Sequence, residues 1–226
     1  MPELPETETI ARDLDRELTG QRIVAVRVTR ADVLRGCDAG TFTARLTGAT
    51  ILGASRRAKL IVIALSSSDA MVVQPRFTGA LLIDRGDLDE RERSFSTLHL
   101  TLDDGTRLHY RDIRRLGTVE LMDPDRWRRY AGALGVEPLA AEFTTAYLSG
   151  VLRSSRQAIK TVLMDQRRVA GIGNIYANET LWHAGIDPSR SARTLDEQEI
   201  SRLHDAIIDV LRASIAARGT SFRDYR

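Results

Sequence analysis

A chain of 226 residues with 42% apolar and 28% charged residues can bury one large core or two small ones, and this composition excludes intrinsic disorder. No run of about 18 uncharged apolar residues occurs, and no basic-then-apolar leader is present, which predicts a soluble cytoplasmic protein without a membrane span. A single cysteine, Cys37, excludes an internal disulfide and a cysteine-built zinc site, while the net charge of +2 conceals an acidic stretch at 1–20 and basic stretches at 107–129 and 153–168 that could line one groove.

After Pro5, Ile10, Leu14 and Leu18 recur every fourth residue, acids occupy the first turn and Gly20 lies just past the end. This pattern predicts a helix over 6–19 with one buried face. From 22 to 121 the chain changes to short runs rich in Val, Ile, Leu and Thr, at 22–29, 49–54, 59–65, 70–74, 80–84, 96–102, 107–111 and 118–121. Asp104-Gly105 between two of them is a two-residue hairpin signal. Such strands without long intervening helices predict an antiparallel sandwich or barrel.

At Asp123-Pro124 the period changes again, and helices are expected over 124–134, 144–152, 156–165, 174–183 and 195–218. In the last of these, Thr194 and Glu197 read as a capping box ahead of Ile200, Leu203, Ile207, Leu211 and Ile215. The expected organisation is therefore a β domain over 1–123, a linker and first helix over 124–135, and a helical domain over 136–226.

Several residues have the chemistry for a site. Removal of Met1 would leave Pro2 with a secondary amine able to attack a carbonyl-like carbon, and Glu3 beside it could move protons. Only Lys59 and Lys160 are lysines among 33 basic residues, as expected where a compact ammonium is needed in place of a guanidinium. The segment Gly171-Ile172-Gly173-Asn174 joins two expected helices; its glycines either present backbone N–H groups to a phosphate or only permit close packing. It follows a helix and has neither a third glycine nor a Lys-Ser/Thr pair, which excludes the nucleotide-cofactor fingerprints. Arg114-Arg115 and Phe77 lie on two loops where a cation and an apolar wedge could meet a duplex. His99 and His109 are placed to face each other across the Asp104-Gly105 hairpin; the four histidines have no metal-ligand spacing, and no metal site is expected in this chain.

Together these segments resemble the formamidopyrimidine-DNA glycosylase and endonuclease VIII family. The resemblance runs through Met1-Pro2-Glu3-Leu4-Pro5-Glu6, Arg57-Ala58-Lys59, Tyr110 to Gly117, Gly135-Val136-Glu137-Pro138-Leu139, Ile159 to Pro188 and Gly219-Thr220-Ser221-Phe222-Arg223-Asp224. Leu4 and the Arg114-Arg115 pair look like the formamidopyrimidine branch. The resemblance implies an α+β fold: an N-terminal helix on an antiparallel two-sheet β-sandwich, then an all-helical domain with a helix-two-turn-helix.

It also implies a bifunctional enzyme of base-excision repair that removes oxidised bases of the 8-oxoguanine and formamidopyrimidine class and cuts the strand by β,δ-elimination. The partner implied is damaged double-stranded DNA, bound by a monomer away from any membrane. By the same carry-over Pro2 is the nucleophile, Glu3 protonates the sugar ring oxygen, Glu6 supports the nucleophile, and Lys59, grouped with these catalytic residues, holds a phosphate near the lesion. Arg115 and Asn174 hold phosphates, and Lys160 is grouped with them. Arg114 and Phe77 fill the vacated stack, and Leu116 belongs to the same probe. Thr220, Ser221 and Arg223 belong to a loop closing over the flipped base.

Two departures from the family are visible. Gln74-Pro75-Arg76-Phe77-Thr78-Gly79 stands where the family usually has His-Leu-Gly-Met-Ser-Gly, and Leu116 stands where a phenylalanine is usual, so the bulky probe is expected to have moved between loops. The family's zinc-binding C-terminal hairpin has no counterpart before Arg226, so zinc is expected only if residues follow it. The alternatives are a truncated or non-catalytic binder of damaged DNA, or a glycosylase preferring oxidised pyrimidines.

Overall fold

The computed structural model describes residues 2–219. The chain begins with helix α1 (Leu4–Leu18), whose Ile10, Leu14 and Leu18 enter the first core as their spacing predicts. Strand β1 (Ile23–Val28) follows, then β2 (Leu34–Arg35) and the short helix α2 (Ala39–Leu46), started by Asp38, whose carboxylate accepts from the Thr41 N–H. The remaining strands are β3 (Ile51–Arg57), β4 (Leu60–Leu65), β5 (Ala70–Gln74), β6 (Gly79–Asp84), β7 (Ser96–Leu102), β8 (Arg107–Asp112) and β9 (Thr118–Met122), with helix α3 (Glu90–Ser94) before β7.

Two sheets form, in the orders β1-β7-β8-β6 and β2-β9-β5-β4-β3. Every pairing is antiparallel except β2 with β9. The wholly antiparallel expectation is corrected at that edge, and neither β2 nor α2 was anticipated. Alternation along β4 sorts its side chains between two layers. Ile61 and Ile63 enter the inter-sheet core, whereas Leu60 and Val62 turn outward under Trp127 and Leu134. His99 and His109 do pair across the β7–β8 hairpin, with ring centroids 5.0 Å apart.

Beyond β9 the described chain is helical: α4 (Pro124–Gly132), α5 (Thr145–Arg153), α6 (Ile159–Met164), α7 (Asn174–Ala184) and α8 (Glu197–Ala216). The cap of α8 is corrected by two residues. Asp196 and Glu199 form the capping box, while Thr194 belongs to a preceding 3-10 turn. These helices enclose a second core, and Leu4 of α1 belongs to it although Ile10, Ala11, Leu14 and Leu18 of the same helix lie in the sandwich core. No described helix is long and apolar enough to cross a membrane.

The two halves are also joined by ion pairs. Glu137 accepts from Arg56 at 2.6 Å, Arg57 at 2.8 Å and the Ala58 N–H at 2.7 Å; Arg56 also meets Glu8, and Arg57 Nη2 donates to the carbonyls of Ala131, Leu134 and Gly135. Burial alone would raise the Glu137 pKa, but Arg56, the Ala58 N–H and Arg57 outweigh it and hold the carboxyl below its ordinary value of 4.5.

Its stabilisation is therefore complete above pH 4.5 and lost as pH falls through the lowered folded value. Glu137→Gln is expected to cost about 1.5–3 kcal/mol at neutral pH, because two largely buried guanidinium groups lose their shared carboxylate while keeping Glu8 and the backbone carbonyls. Paired melts should show the gap between variant and parent closing in acid; a gap that persists there would contradict this origin.

Candidate active site at the base of helix α7

The first residues of the chain are threaded between the two halves. Pro2, Glu3 and Leu4 are buried, and the Leu4 N–H donates to the Gly171 carbonyl at 3.1 Å. The Glu3 carboxylate, with no exposure, accepts from the N–H groups of Gly173 at 2.7 Å, Ile175 at 3.0 Å and Tyr176 at 3.3 Å. These are otherwise unpaired donors of the first turn of α7, where the aligned peptide dipoles favour a negative charge.

The glycines of this turn permit the start of the chain to pack closely against it. Gly171 has φ +86°, and a Cβ there would lie 2.6 Å from Leu4 Cδ1. A Cβ on Gly173 would lie 2.4 Å from Glu3 Cδ and 2.5 Å from Lys59 Nζ. Gln166 fastens the turn, donating to the carbonyls of Met164 and Ile172 and accepting from the Gly171 N–H. One part of the phosphate expectation is corrected: a carboxylate of the same chain occupies three of the backbone donors, while the Asn174 side chain remains exposed at the first helical position.

Lys59 and Glu3 thus both border Gly173. Burial pushes the Lys59 pKa below its ordinary value, and the Glu3 charge partly opposes that shift. The result is an ammonium more easily deprotonated than a surface lysine, in the field of the Glu3 carboxylate. Glu6 completes the centre: its carboxylate accepts from the Glu3 N–H at 3.0 Å and from the Tyr176 hydroxyl at 2.7 Å. Tyr176 went unassigned in the sequence, although it closes the glycine-turn motif.

Gly173→Ala is expected to drive Glu3 and Lys59 apart. The overpacking should cost about 1–3 kcal/mol and remove most activity while the circular-dichroism spectrum is retained. Full activity in this variant would contradict the close three-way contact.

The structure gathers the probe residues at a second place. The Arg114 guanidinium lies over the Phe77 ring, 5.1 Å from its centroid, and Phe77 and Leu116 are 52% and 41% exposed. Arg115 pairs with Asp32 at 2.8 Å, so a phosphate there must replace an exposed carboxylate; exposed pairs are worth only about 0–1 kcal/mol. Lys160 lies on α6, and among the described residues no hydrogen bond or ion pair of its side chain joins it to either group. Thr220, Ser221 and Arg223 lie outside the described residues.

Five non-glycine residues among those described have positive φ: Ala58, Ser68, Arg76, Arg115 and Arg218. Ala58 precedes Lys59, Arg76 precedes Phe77, and Arg115 follows Arg114, so backbone strain falls beside the candidate residues. Arg218 precedes Gly219, where a Cβ would lie 2.9 Å from Glu6 Cγ.

Among the described residues no group of three or more His, Cys, Asp or Glu side chains is arranged to hold a metal, and a four-cysteine zinc site finds one cysteine in the whole sequence. The residues present do not fit a zinc ion, and no chemical step is assigned to one.

Comparison with known proteins bears on this arrangement directly. Residues 1–119 match the formamidopyrimidine-DNA glycosylase N-terminal domain and residues 134–226 the formamidopyrimidine-DNA glycosylase H2TH domain. A formamidopyrimidine-DNA glycosylase of Moorella thermoacetica is 42% identical over 227 residues, spanning all of this chain and 82% of the relative. That of Carboxydothermus hydrogenoformans is 40% identical, spanning all of this chain and 81% of the relative.

Among solved structures, Lactococcus lactis formamidopyrimidine-DNA glycosylase bound non-covalently to DNA containing an AP site has a TM-score of 0.89 at 32% identity, over 96% of this chain and 83% of that one. The Lactococcus lactis enzyme with DNA containing FAPY-dG has a TM-score of 0.90 at 33% identity, over 97% and 82%. With both domains matched, the fold shared and nearly the full length aligned, the chain belongs to the formamidopyrimidine-DNA glycosylase family.

Proposed function

We propose that this protein is a DNA glycosylase and AP lyase of base-excision repair that acts through the Pro2 amine. The observation that carries the reading is the buried Glu3 carboxylate on the first turn of α7, with Glu6 bonded to Glu3 and Tyr176, Lys59 bordering Gly173, and buried Pro2 adjoining Glu3 in the chain. After Met1 is removed, the neutral Pro2 nitrogen attacks C1′ of a nucleotide flipped out of the duplex. The C1′–N glycosidic bond breaks and the base leaves with its electron pair and a proton. Cleavage of C1′–O4′, with Glu3 passing to O4′ a proton it takes from water, leaves an iminium between Pro2 and C1′.

Loss of a C2′ proton then expels the 3′ phosphate, and a second elimination expels the 5′ phosphate. Lys59, with its lowered pKa, suits proton transfer or contact with a lesion-side phosphate. Asn174 and Arg115 take phosphates, Lys160 is assigned to the same task, and Phe77, Arg114 and Leu116 fill the vacated stack. Thr220, Ser221 and Arg223 are assigned to the flipped base by the family resemblance.

The substrate class is oxidised purines such as 8-oxoguanine and formamidopyrimidine lesions in duplex DNA. The enzyme works as a monomer in the bacterial cytoplasm, at the nucleoid, and needs no cofactor held by these 226 residues.

Strand cleavage tests the reading. Duplexes with 8-oxoguanine, formamidopyrimidine or an abasic site should be cut, and undamaged duplex should not. Salt-sensitive binding without cleavage of any of them would leave a damage-binding protein. Preferential cutting at an oxidised pyrimidine would reassign the substrate class.

A further inference from the structure

Phe77 and Arg114 come from different loops, yet they are held beneath by one hydrogen-bonded unit. Asp112, 2% exposed at the end of β8, takes the Thr78 hydroxyl on Oδ1 at 2.5 Å and the Gly117 N–H on Oδ2 at 2.8 Å. The Tyr110 hydroxyl donates to Oδ2 at 3.4 Å. The Thr78 hydroxyl in turn accepts from the Arg114 N–H at 3.0 Å. One threonine hydroxyl thus uses its donor in one direction and its acceptor in the other, fixing Phe77's neighbour to the backbone of Arg114.

Space beneath the loops is closed as tightly. A Cβ on Gly117 would fall 1.9 Å from the Tyr110 hydroxyl oxygen, and one on Gly79 would fall 2.7 Å from the same atom. Both loop ends are drawn down onto Tyr110 and Asp112, and the residues above them, Arg76 and Arg115, adopt left-handed backbone at φ 53° and 52°. That conformation is costly for a side-chain-bearing residue and persists only where the surroundings impose it.

We propose that Thr78 and Asp112 are positioning residues that lock Phe77 and Arg114 into a single wedge. This rests on the glycosylase reading above. The wedge enters the duplex as one body: the ring supplies stacking area, and the guanidinium supplies donors that read acceptor edges of the unpaired base. Because the lock fixes the Arg114 backbone relative to the ring, it sets how sharply the enzyme distinguishes the four bases opposite the lesion. It has no part in the chemistry at Pro2.

Thr78→Val keeps the shape and removes both hydrogen bonds, and Thr78→Ser keeps the hydroxyl. Single-turnover cleavage by the full chain is to be measured on 8-oxoguanine duplexes with each of the four opposite bases. Borohydride trapping is to be measured on a single-stranded abasic oligonucleotide, which has no stack to open.

Thr78→Val is expected to cut duplex cleavage about ten- to hundredfold, as for loss of two hydrogen bonds, and to narrow the spread across opposite bases. Single-strand trapping should be unchanged, and Thr78→Ser should restore the parent pattern. An unchanged opposite-base spread in Thr78→Val would overturn the proposal, as would an equal loss on the single-stranded substrate, which marks a purely structural role. A parent protein inactive on both substrates would instead overturn the glycosylase reading, and the wedge's part in the reaction with it.

Discussion

Glu3→Gln is expected to lower cleavage of a lesion duplex by on the order of 10²–10⁴-fold, the usual range for removing a positioned acid or base. Two carboxylate oxygens currently serve three N–H groups of α7, with Oε2 taking Gly173 and Tyr176 and Oε1 taking Ile175. A glutamine has one acceptor, and its NH2 must face a backbone N–H. The variant should therefore also lose about 1.5–3 kcal/mol of stability, as expected when a hydrogen bond to a charged group is lost.

The pH dependence of DNA binding separates the electrostatic effect from the chemistry. Glu3 raises the Lys59 pKa while burial lowers it. Without the carboxylate the Lys59 pKa falls further, and its charge is lost at lower pH. Affinity of Glu3→Gln for an abasic-analogue duplex should decline at lower pH than that of the parent as pH rises. An unchanged alkaline limit would contradict the Glu3–Lys59 coupling.

Leu4→Ala is expected to cost about 2–5 kcal/mol, the range for truncating a fully buried leucine, and to impair catalysis beyond that loss. Leu4 has no exposure, packs on Gly171 and lies in the helical core rather than the sandwich core. It anchors the strand of chain carrying Pro2 and Glu3 to the turn that Glu3 must reach. A displacement of about 1 Å at a reacting group can cost on the order of 10²-fold in rate.

Leu14→Ala is the control, since Leu14 is buried on the same helix but in the sandwich core. It should be destabilised to a similar degree, with normal turnover per folded molecule below its melting temperature. Equal losses of specific activity in the two variants would deny Leu4 its anchoring role.

Apolar spacing together with cap and turn residues located α1, the long strands and α4 to α8. Helix α2 escaped because its eight residues give only Phe42 and Leu46 to the core, and two-residue β2 carries no pattern at all. The α8 cap was misplaced by two because Thr194 and Asp196 are both good cap residues, and only the 3-10 turn at Ala192–Thr194 selects the later one.

At the site, Pro2, Glu3, Glu6 and Lys59 were legible as chemistry and through their resemblance to the family. That Glu3 would occupy the donors of a turn 170 residues away was not, since sequence spacing carries no information about such a closure. The same holds for Tyr176 on Glu6, and for Thr78 and Asp112 beneath the probe loops. Each acts through a partner outside its own segment.

The account depends most on which atom becomes bonded to DNA. Borohydride reduction during incubation with an abasic duplex, followed by proteolysis and mass spectrometry of the cross-linked peptide, identifies it. The sequence makes the experiment clean, because Lys59 and Lys160 are its only lysines. The adduct is predicted on the nitrogen of Pro2, in protein lacking Met1. An adduct on either lysine, or none in folded protein whose Met1 has been removed, would contradict nucleophilic attack by Pro2.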